Sequence, residues 1–291
     1  MLYRLRHYLD ILRKNPRPAR FVAARALVIT GLCRYWVIPQ SRGYKLRFFP
    51  SNLSEQLWIN PTARDEPLAF FAEYLRPGDT VIDVGANIGD TCIVCANAVG
   101  PEGHVFAFEP HPRVFRWLAE NVRLNGIRNA TLANLALGEV DGTVTFSDQR
   151  RDDMNRVLRD GRGLSVPVRR LDGAIAAIAT IALLKIDVEG FEIFVLRGAP
   201  TTLRAADCVH VELGQKHFQK YGYDASDVMR ILVDAGFTLL RFASDRHLSR
   251  IDSGYRPDAV ENIVGVRDIA MLRRRLEGRF TLNGADSGRR S

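Results

Sequence analysis

The sequence predicts an α/β protein in which a mostly parallel β-sheet is covered by helices on both faces. First, strand-like and helix-like segments alternate from about residue 65 onwards, which is typical of βαβ units. Second, the strand-like segments are short apolar runs, as in Val81–Val84, which leads into a glycine-containing turn. Third, the chain has 291 residues, 46% hydrophobic and 25% charged, enough for one large domain with an appendage or for two domains.

Each element follows from apolar periodicity and from breakers such as Pro77-Gly78. The predicted elements are helix 67–75, strand 80–84, helix 88–98, strand 104–108, helix 112–125, strand 130–135, strand 182–186, a helix from about 191, strand 208–213, helix 225–235 and a closing pair at 237–242 and 262–267. Two glycine turns around the alternating run 138–146 predict a hairpin or edge strand. The polar segment 148–163 predicts a mobile loop, and its arginines at 150, 151, 156, 159 and 162 could clasp an anionic acceptor.

Positive charge is concentrated in the first 50 residues. This segment holds eleven Lys or Arg against one acid, Asp10, so it carries +10, whereas the remaining 241 residues sum to −2. Leucines at helical spacing predict a helix over residues 1–14, and a second follows the Pro16-Arg17-Pro18 breaker over 19–37. The arm is interpreted as a helical cap, as a basic surface for anionic lipid or a partner, or as a nucleic-acid arm.

The cysteines indicate a reducing compartment. Cys33, Cys92, Cys95 and Cys208 are too few for a disulfide framework, and the C-x-x-C pair at 92 and 95 is expected to pack in the core, because no second pair completes a zinc site. The first 14 residues lack the apolar block of a signal peptide, and the apolar run 21–38 is interrupted by arginines. The sequence therefore predicts a cytoplasmic protein, with peripheral contact to the inner face of the membrane through residues 1–50 as an option.

The stretch VIDVGANIGD, residues 81–90, predicts a ligand site at the end of the first strand. Its glycines, Gly85 and Gly89, do not match the G-x-G-x-x-G of a dinucleotide site, since Asn87 stands where the middle glycine would be. Asp83, two residues before the first glycine, would repel a diphosphate. Glu109 ends the next strand, where a carboxylate accepts both hydroxyls of a ribose. This combination favours S-adenosylmethionine, a nucleoside with a positively charged sulfonium and no phosphate.

Further acids follow the later strands, at the same edge of the sheet. Asp187 ends the apolar strand of LLKIDVEG, and Glu189 follows it. One carboxylate could orient the donor while the other accepts a proton from the acceptor. Glu212 ends the next strand, so a divalent cation is an alternative there. His210 is on the same strand face and is interpreted either as a base or as a buried histidine.

These motifs resemble the FkbM family of S-adenosylmethionine-dependent methyltransferases. The similar stretches are VIDVGANIGD, FEP, NLALGEVDGTVTF and LLKIDVEGFEIFVLRGA, which together span about residues 65–267. The resemblance implies a class I (Rossmann-like) methyltransferase fold, with a seven-stranded, mostly parallel sheet whose last strand is antiparallel. It also implies methyl transfer to oxygen, on sugars and on hydroxyls of natural products, by enzymes that often work beside glycosyltransferases.

Carried over by position, the resemblance places the methionine end of the donor at the first turn, the ribose at Glu109, adenine at Ala136-Leu137 and the reacting methyl beside Asp187. The residues expected to bind the donor are Asp83, Gly85, Ala86, Asn87, Gly89, Glu109, Pro110, His111, Ala136, Leu137 and Asp187. Catalysis is expected from Asp187, Glu189 and His210, and no metal site is assigned.

The sequence thus predicts an N-terminal basic helical extension over residues 1–60, a methyltransferase domain over 61–270 and a helix end with a flexible tail over 271–291. The expected function is methyl transfer from S-adenosylmethionine to a hydroxyl of a carbohydrate or natural product, with loops 148–163, 214–223 and 244–258 shaping the acceptor pocket. A nucleic-acid methyltransferase is one alternative, although residues 187–190 lack the aromatic-proline motif that grips a flipped base. A non-catalytic scaffold that docks on a membrane or glycosyltransferase is the other.

Overall fold

A computed structural model describes residues 17–149, 155–158, 161–244 and 246–283. The helix predicted over residues 1–14 and the arginines at 150, 151 and 159 lie outside these residues. The helices are α1 (Pro18–Ile29), α2 (Asn52–Ile59), α3 (Asp65–Tyr74), α4 (Asp90–Val99), α5 (Pro112–Leu124), α6 (Leu171–Ala174), α7 (Glu192–Arg197), α8 (Pro200–Ala205), α9 (Gln215–Gln219), α10 (Ala225–Asp234) and α11 (Ile269–Leu276), with a 3-10 helix at Leu32–Tyr35.

The strands form a large sheet and two small ones. They are β1 (Val37–Pro39), β2 (Lys45–Arg47), β3 (Thr80–Val84), β4 (His104–Phe108), β5 (Ala130–Ala133), β6 (Ala136–Leu137), β7 (Gly142–Phe146), β8 (Val157–Leu158), β9 (Leu164–Arg169), β10 (Ile181–Ile186), β11 (Ala206–Leu213), β12 (Thr238–Ser244), β13 (His247–Ile251), β14 (Glu261–Val266) and β15 (Thr281–Asn283). The elements predicted from 67 to 135 and from 182 to 267 are all present, with bounds within a few residues.

The large sheet has the order β15-β13-β12-β14-β11-β10-β3-β4-β5. Strands β5, β4, β3, β10 and β11 pair in parallel, and β14 lies antiparallel between β11 and β12. The predicted seven-stranded sheet with an antiparallel last strand is therefore confirmed. Strands β13 and β15 extend it at one edge. The flexible tail expected within residues 271–291 is wrong for Thr281–Asn283, because this segment pairs with β13.

Successive residues of the central strands point to opposite faces, and each face carries its own core. Val81 and Leu183 belong to the core shared with α3, α4 and the N-terminal segment, whereas Ile82 and Leu184 belong to the core shared with α7 and α10. All residues of β10 are buried, as expected for a strand covered on both sides. The prediction of helices on both faces is thus confirmed.

A small second sheet, of order β6-β9-β7-β8, is inserted between β5 and β10. The run 138–146 does contain a strand, but the hairpin-or-edge prediction is wrong, because β7 is flanked by β9 and β8 and its longest pairing is with the distant β9. The segment 148–163 is likewise not all loop, since Val157–Leu158 forms β8. Phe146 and Val157 join a small apolar cluster that holds this sheet together.

The described part of the N-terminal arm packs against the main sheet. Its helix ends at Ile29, earlier than predicted, because Gly31 adopts a left-handed φ of +71°. Ala24, Phe48 and Leu57 are buried in the core that faces α3 and α4. Side-chain oxygens of Asn121, on α5, and of Asn125, the residue that follows α5, accept hydrogen bonds from backbone N–H groups of β2. The arm is therefore attached by both apolar packing and polar contacts, whereas the domain division itself stays a prediction.

Two other expectations concern the cysteines and the membrane. All four cysteines are buried free thiols, and Cys92 and Cys95 lie in the core as predicted. Within the described ranges, each helix is too short or too polar to cross a bilayer.

Candidate active site

A cleft of about 230 Å³ opens at the carboxyl ends of β3, β4, β10 and β11. The turn after β3 forms its floor. The N–H groups of Gly85 and Ala86 both donate to the Phe108 carbonyl at 3.0 Å, which joins the ends of β3 and β4. Gly85 has a φ of +81°, and a Cβ atom there would lie 1.8 Å from the Asp187 carbonyl oxygen. Only glycine lets these strand ends approach so closely.

Glu109 is fixed in the cleft by the backbone around it. Its Oε2 accepts a hydrogen bond from Asn87 N–H at 3.0 Å, and its Oε1 accepts one from His111 N–H at 2.9 Å. The residue is buried, yet it lines the cleft beside Pro110. Asn87 takes a left-handed φ of +47°, which directs its N–H towards this carboxylate. The geometry suits a ribose, because a preoriented carboxylate can accept hydrogen bonds from two neighbouring hydroxyls.

The prediction that Asp83 lines the methionine end is corrected. Asp83 is fully buried and lies outside the cleft lining, because its side chain faces the core beneath the turn. Lys185, its register partner on β10, holds it in an ion pair of 3.2 Å, lies 3.5 Å from Asp187, and donates to the Gly85 carbonyl at 3.2 Å. Burial raises the pKa of Asp83, and the ammonium opposes that rise. Among the predicted donor-binding acids, Asp187 and Glu109 are the ones that line the cleft.

His210 is also corrected. It sits beside Lys185 in the register of β10 and β11, and its ring contacts the Phe71 ring edge-on with centroids 4.9 Å apart. Burial, followed by the positive charge of Lys185, lowers the pKa of His210 to about 3. His210 shares a strand face with Glu212, as predicted, but lies deeper, below the cleft lining. It is a buried neutral histidine without access to an acceptor.

Three further residues that were predicted to bind the methyl donor lie behind the wall of the cleft and do not line it. Ala86 is buried. Gly89 begins α4 at a φ of +94°, where a Cβ atom would lie 2.6 Å from Leu118 Cδ1, so it allows α4 and α5 to pack closely. His111 caps α5 by accepting from Arg113 N–H, and its other ring nitrogen lies 3.1 Å from Asp148 Oδ1. By contrast, the other predicted residues do line the cleft: Gly85, Asn87, Glu109, Pro110, Ala136, Leu137, Asp187 and Glu189.

At the other end of the cleft, carboxylates lie close to one another. Asp187, Glu189 and Glu212 all line it. Burial raises the pKa of Glu212 to about 10, and the negative charges of Asp187, Glu189 and Glu192 add to the rise. Glu189 has a left-handed φ of +55°, and its Oε2 lies 3.3 Å from His217 Nδ1. This end is therefore rich in groups that can accept a proton or bind a cation.

Several residues of the cleft were not predicted. Arg64 Nε lies 3.0 Å from Asp90 Oδ2, and both line the cleft together with the α2 residues Asn52 and Gln56. Lys185 could have been found, because a lone lysine in an otherwise apolar buried strand needs an anionic partner. The α2 residues carry no such signal, since they reach the cleft only through the packing of the arm.

The family described as the Methyltransferase FkbM domain matches residues 83–239, more than half of the chain. The chain belongs to the FkbM methyltransferase family. S-adenosylmethionine is its methyl donor, and the protein is a methyltransferase. The donor half of the cleft fits this cosubstrate, because it offers a close backbone turn at Gly85, a fixed carboxylate at Glu109 and apolar walls from Pro110 and Leu137.

Two curated relatives and one solved structure illustrate the similarity. The hexuronic acid methyltransferase AglP of Haloferax volcanii is 28% identical over 78% of this chain and 90% of its own length. The 31-O-demethyl-FK506 methyltransferase FkbM of Streptomyces tacrolimicus is 36% identical over 43% of this chain and 60% of its own length. A SAM-dependent methyltransferase from Aquifex aeolicus aligns with a TM-score of 0.42 at 14% identity, over 72% of this chain and 94% of that one.

Proposed function

We propose that the protein transfers the methyl group of S-adenosylmethionine to a hydroxyl of a carbohydrate acceptor. The observation that carries the proposal is the group of carboxylates, Asp187, Glu189 and Glu212, at the end of the cleft beyond the donor turn. Similarity to a hexuronic acid methyltransferase over 78% of the chain supports a carbohydrate. A natural-product hydroxyl is the second acceptor class, supported by the shorter similarity to the FK506 methyltransferase.

The chemistry assigns separate tasks to the two ends of the cleft. Gly85, Asn87 and Glu109 would hold the donor, so that its methyl group lies near Asp187. The acceptor oxygen forms a bond to the methyl carbon as the carbon–sulfur bond breaks, and the hydroxyl proton passes to a carboxylate. We assign Asp187 to this proton and Glu189 to orienting the acceptor. A positioned base contributes about 10²–10⁴-fold to such a reaction, and alignment of the reacting atoms supplies much of the rest.

The test is methyl transfer from labelled donor to a panel of uronic-acid glycans, neutral glycans and hydroxylated macrolides. Asp187→Asn should lower kcat by about 10²–10⁴-fold while adenosylhomocysteine still binds. Asp234→Asn, at the exposed end of α10, is the matched control and should behave as wild type. Full turnover of both Asp187→Asn and Glu189→Gln would rule out these catalytic assignments. Methyl transfer to none of the acceptors would contradict the proposed function.

We further propose that the N-terminal segment contacts an anionic membrane surface. Most of the large apolar side chains that are exposed in the described residues lie here. They are Val22, Ile29, Leu32, Tyr35 and Trp36. Arg20 and Arg34 are exposed among them, and further basic residues precede them in the sequence. Exposed aromatic and basic side chains in one segment are the combination that binds the interface of an anionic bilayer.

Cosedimentation with vesicles tests this contact. Binding should require anionic phosphatidylglycerol, weaken with salt and fall in the double variant Leu32→Ser/Trp36→Ser. Val140→Ser is the control, because Val140 is a 67% exposed apolar residue elsewhere on the surface. Equal binding of the double variant and the control would refute the contact.

A further inference from the structure

We infer that Glu189, Glu212 and His217 bind a divalent metal ion at the acceptor end of the cleft. One carboxylate oxygen from each glutamate and one ring nitrogen of the histidine lie within 4.8 Å of one another. Oxygen and nitrogen ligands at about 2.0–2.3 Å from a shared ion are separated by about twice that distance at most. The 3.3 Å between His217 Nδ1 and Glu189 Oε2 suits two neighbouring ligands.

Three separate elements bring these side chains together. Glu212 is the penultimate residue of β11, Glu189 lies in the loop between β10 and α7, and His217 lies on α9. Two glycines make room for the imidazole. A Cβ atom at Gly190 would lie 3.0 Å from His217 Cβ, and one at Gly214 would lie 3.1 Å from His217 Nδ1. The imidazole therefore packs closely beside the two carboxylates. All three residues are distant in sequence from the donor turn.

The charges around the cluster favour a cation. Asp187 and the buried Glu192 add their carboxylates to those of Glu189 and Glu212. Lys185 is one positive group on this side, and it is already shared between Asp83 and Asp187. Lys220 and Arg156 are the positive groups near His217. A divalent ion would reduce the mutual repulsion of the carboxylates.

The ligand set indicates a first-row transition ion. Two carboxylates and one imidazole suit Mn²⁺ better than Mg²⁺, which prefers oxygen ligands and water. Three protein ligands leave positions open for an acceptor oxygen. If the proposed function is correct, coordination would lower the pKa of the acceptor hydroxyl. Its proton would go to Asp187, its oxygen would bond to the methyl carbon, and the electrons of the broken carbon–sulfur bond would stay on sulfur.

The test is a titration of the full chain with Mn²⁺, in which electron paramagnetic resonance measures the free ion. Wild-type protein should bind Mn²⁺ saturably, with one ion per chain. Glu212→Gln and His217→Gln should each lose at least about 10- to 100-fold in affinity, which is the loss when only an outer-sphere partner of a ligand is removed. His247→Gln, on the exposed start of β13, is the matched control and should keep wild-type affinity. Circular dichroism and adenosylhomocysteine binding establish that each variant is folded.

The result separates this inference from the proposed function. Absence of saturable binding, or equal affinity in wild type, Glu212→Gln and His217→Gln, would overturn the metal site even if glycans are methylated. Saturable binding that both substitutions weaken supports the site even if no glycan of the panel accepts a methyl group. Methyl transfer that is lost with EDTA and restored by Mn²⁺ would connect the ion to the reaction.

Discussion

The two ends of the cleft are built in different ways. At the donor end, the N–H groups of Gly85, Ala86 and Asn87 are all bonded to acceptors at the end of β4, so the backbone fixes the shape. At the proposed acceptor end, Glu189 and Glu212 come from separate elements and lie close together, so side chains fix the shape. The donor end should therefore be sensitive to added volume and the acceptor end to altered charge. This division fits a family that shares one donor, because acceptor groups can change without disturbing the donor turn.

The largest effect should come from Gly85→Ala, which tests whether the donor end depends on the close approach of the backbones at the ends of β3 and β10. The new Cβ atom would lie 1.8 Å from the Asp187 carbonyl oxygen, so the ends of β3 and β10 must separate. We expect adenosylhomocysteine affinity, measured by calorimetry, to fall at least about 100-fold. The free energy of unfolding in urea should fall by roughly 3 kcal/mol or more.

Gly31→Ala is the matched control for this substitution. Gly31 also has a left-handed backbone, with a φ of +71°, but a Cβ atom there meets nothing within 4 Å. Its variant should lose only about 1 kcal/mol of stability, the ordinary cost of a left-handed alanine, and keep donor affinity. Similar losses in both variants would show that backbone conformation, and not strand contact, sets the need for glycine at 85.

A smaller effect is expected from His210→Phe, which tests whether the acceptor end includes this histidine. Since its folded pKa is about 3 and its ordinary pKa is about 6.5, the folded state resists protonation. Its stabilising contribution is present above pH 6.5 and is lost progressively as pH falls towards 3. At pH 5 this loss is about 2 kcal/mol, and it should be absent in His210→Phe. Urea unfolding at pH 7.5 and pH 5 measures the difference.

The same variant should keep methyl transfer and donor affinity, because the ring lies among Phe70, Phe71 and Phe242 below the cleft lining. If a folded His210→Phe variant has kcat reduced more than about 100-fold, His210 acts as a general base after all.

The sequence predicted the donor end better than the acceptor end. Gly85 and Glu109 were recognised because each lies where a strand ends, a position set by local pattern. Asp83 was misplaced because its surroundings depend on its register with Lys185, which no local pattern reveals. His217 was missed because a short helix after a glycine gives no periodic signal, and its neighbours come from other elements.

Depth within a strand was similarly hard to predict. Alternation assigned His210 and Glu212 to one face, which is correct, but alternation does not say how far along the strand the protein interior ends. The strand that pairs with β7 could not be predicted either. The pattern predicted a strand, whereas its pairing with β9 depends on the folding of the whole insertion.

The contribution of α2 to one side of the cleft has a practical consequence for the range of residues that the enzyme needs. The region matched by the family begins at residue 83, yet Asn52, Leu53 and Gln56 lie on the rim of the cleft. A fragment cut at the family boundary would keep the recognisable motifs and leave one side of the reaction chamber open to bulk water. The smallest working unit of this methyltransferase therefore includes part of the segment that family resemblance does not cover.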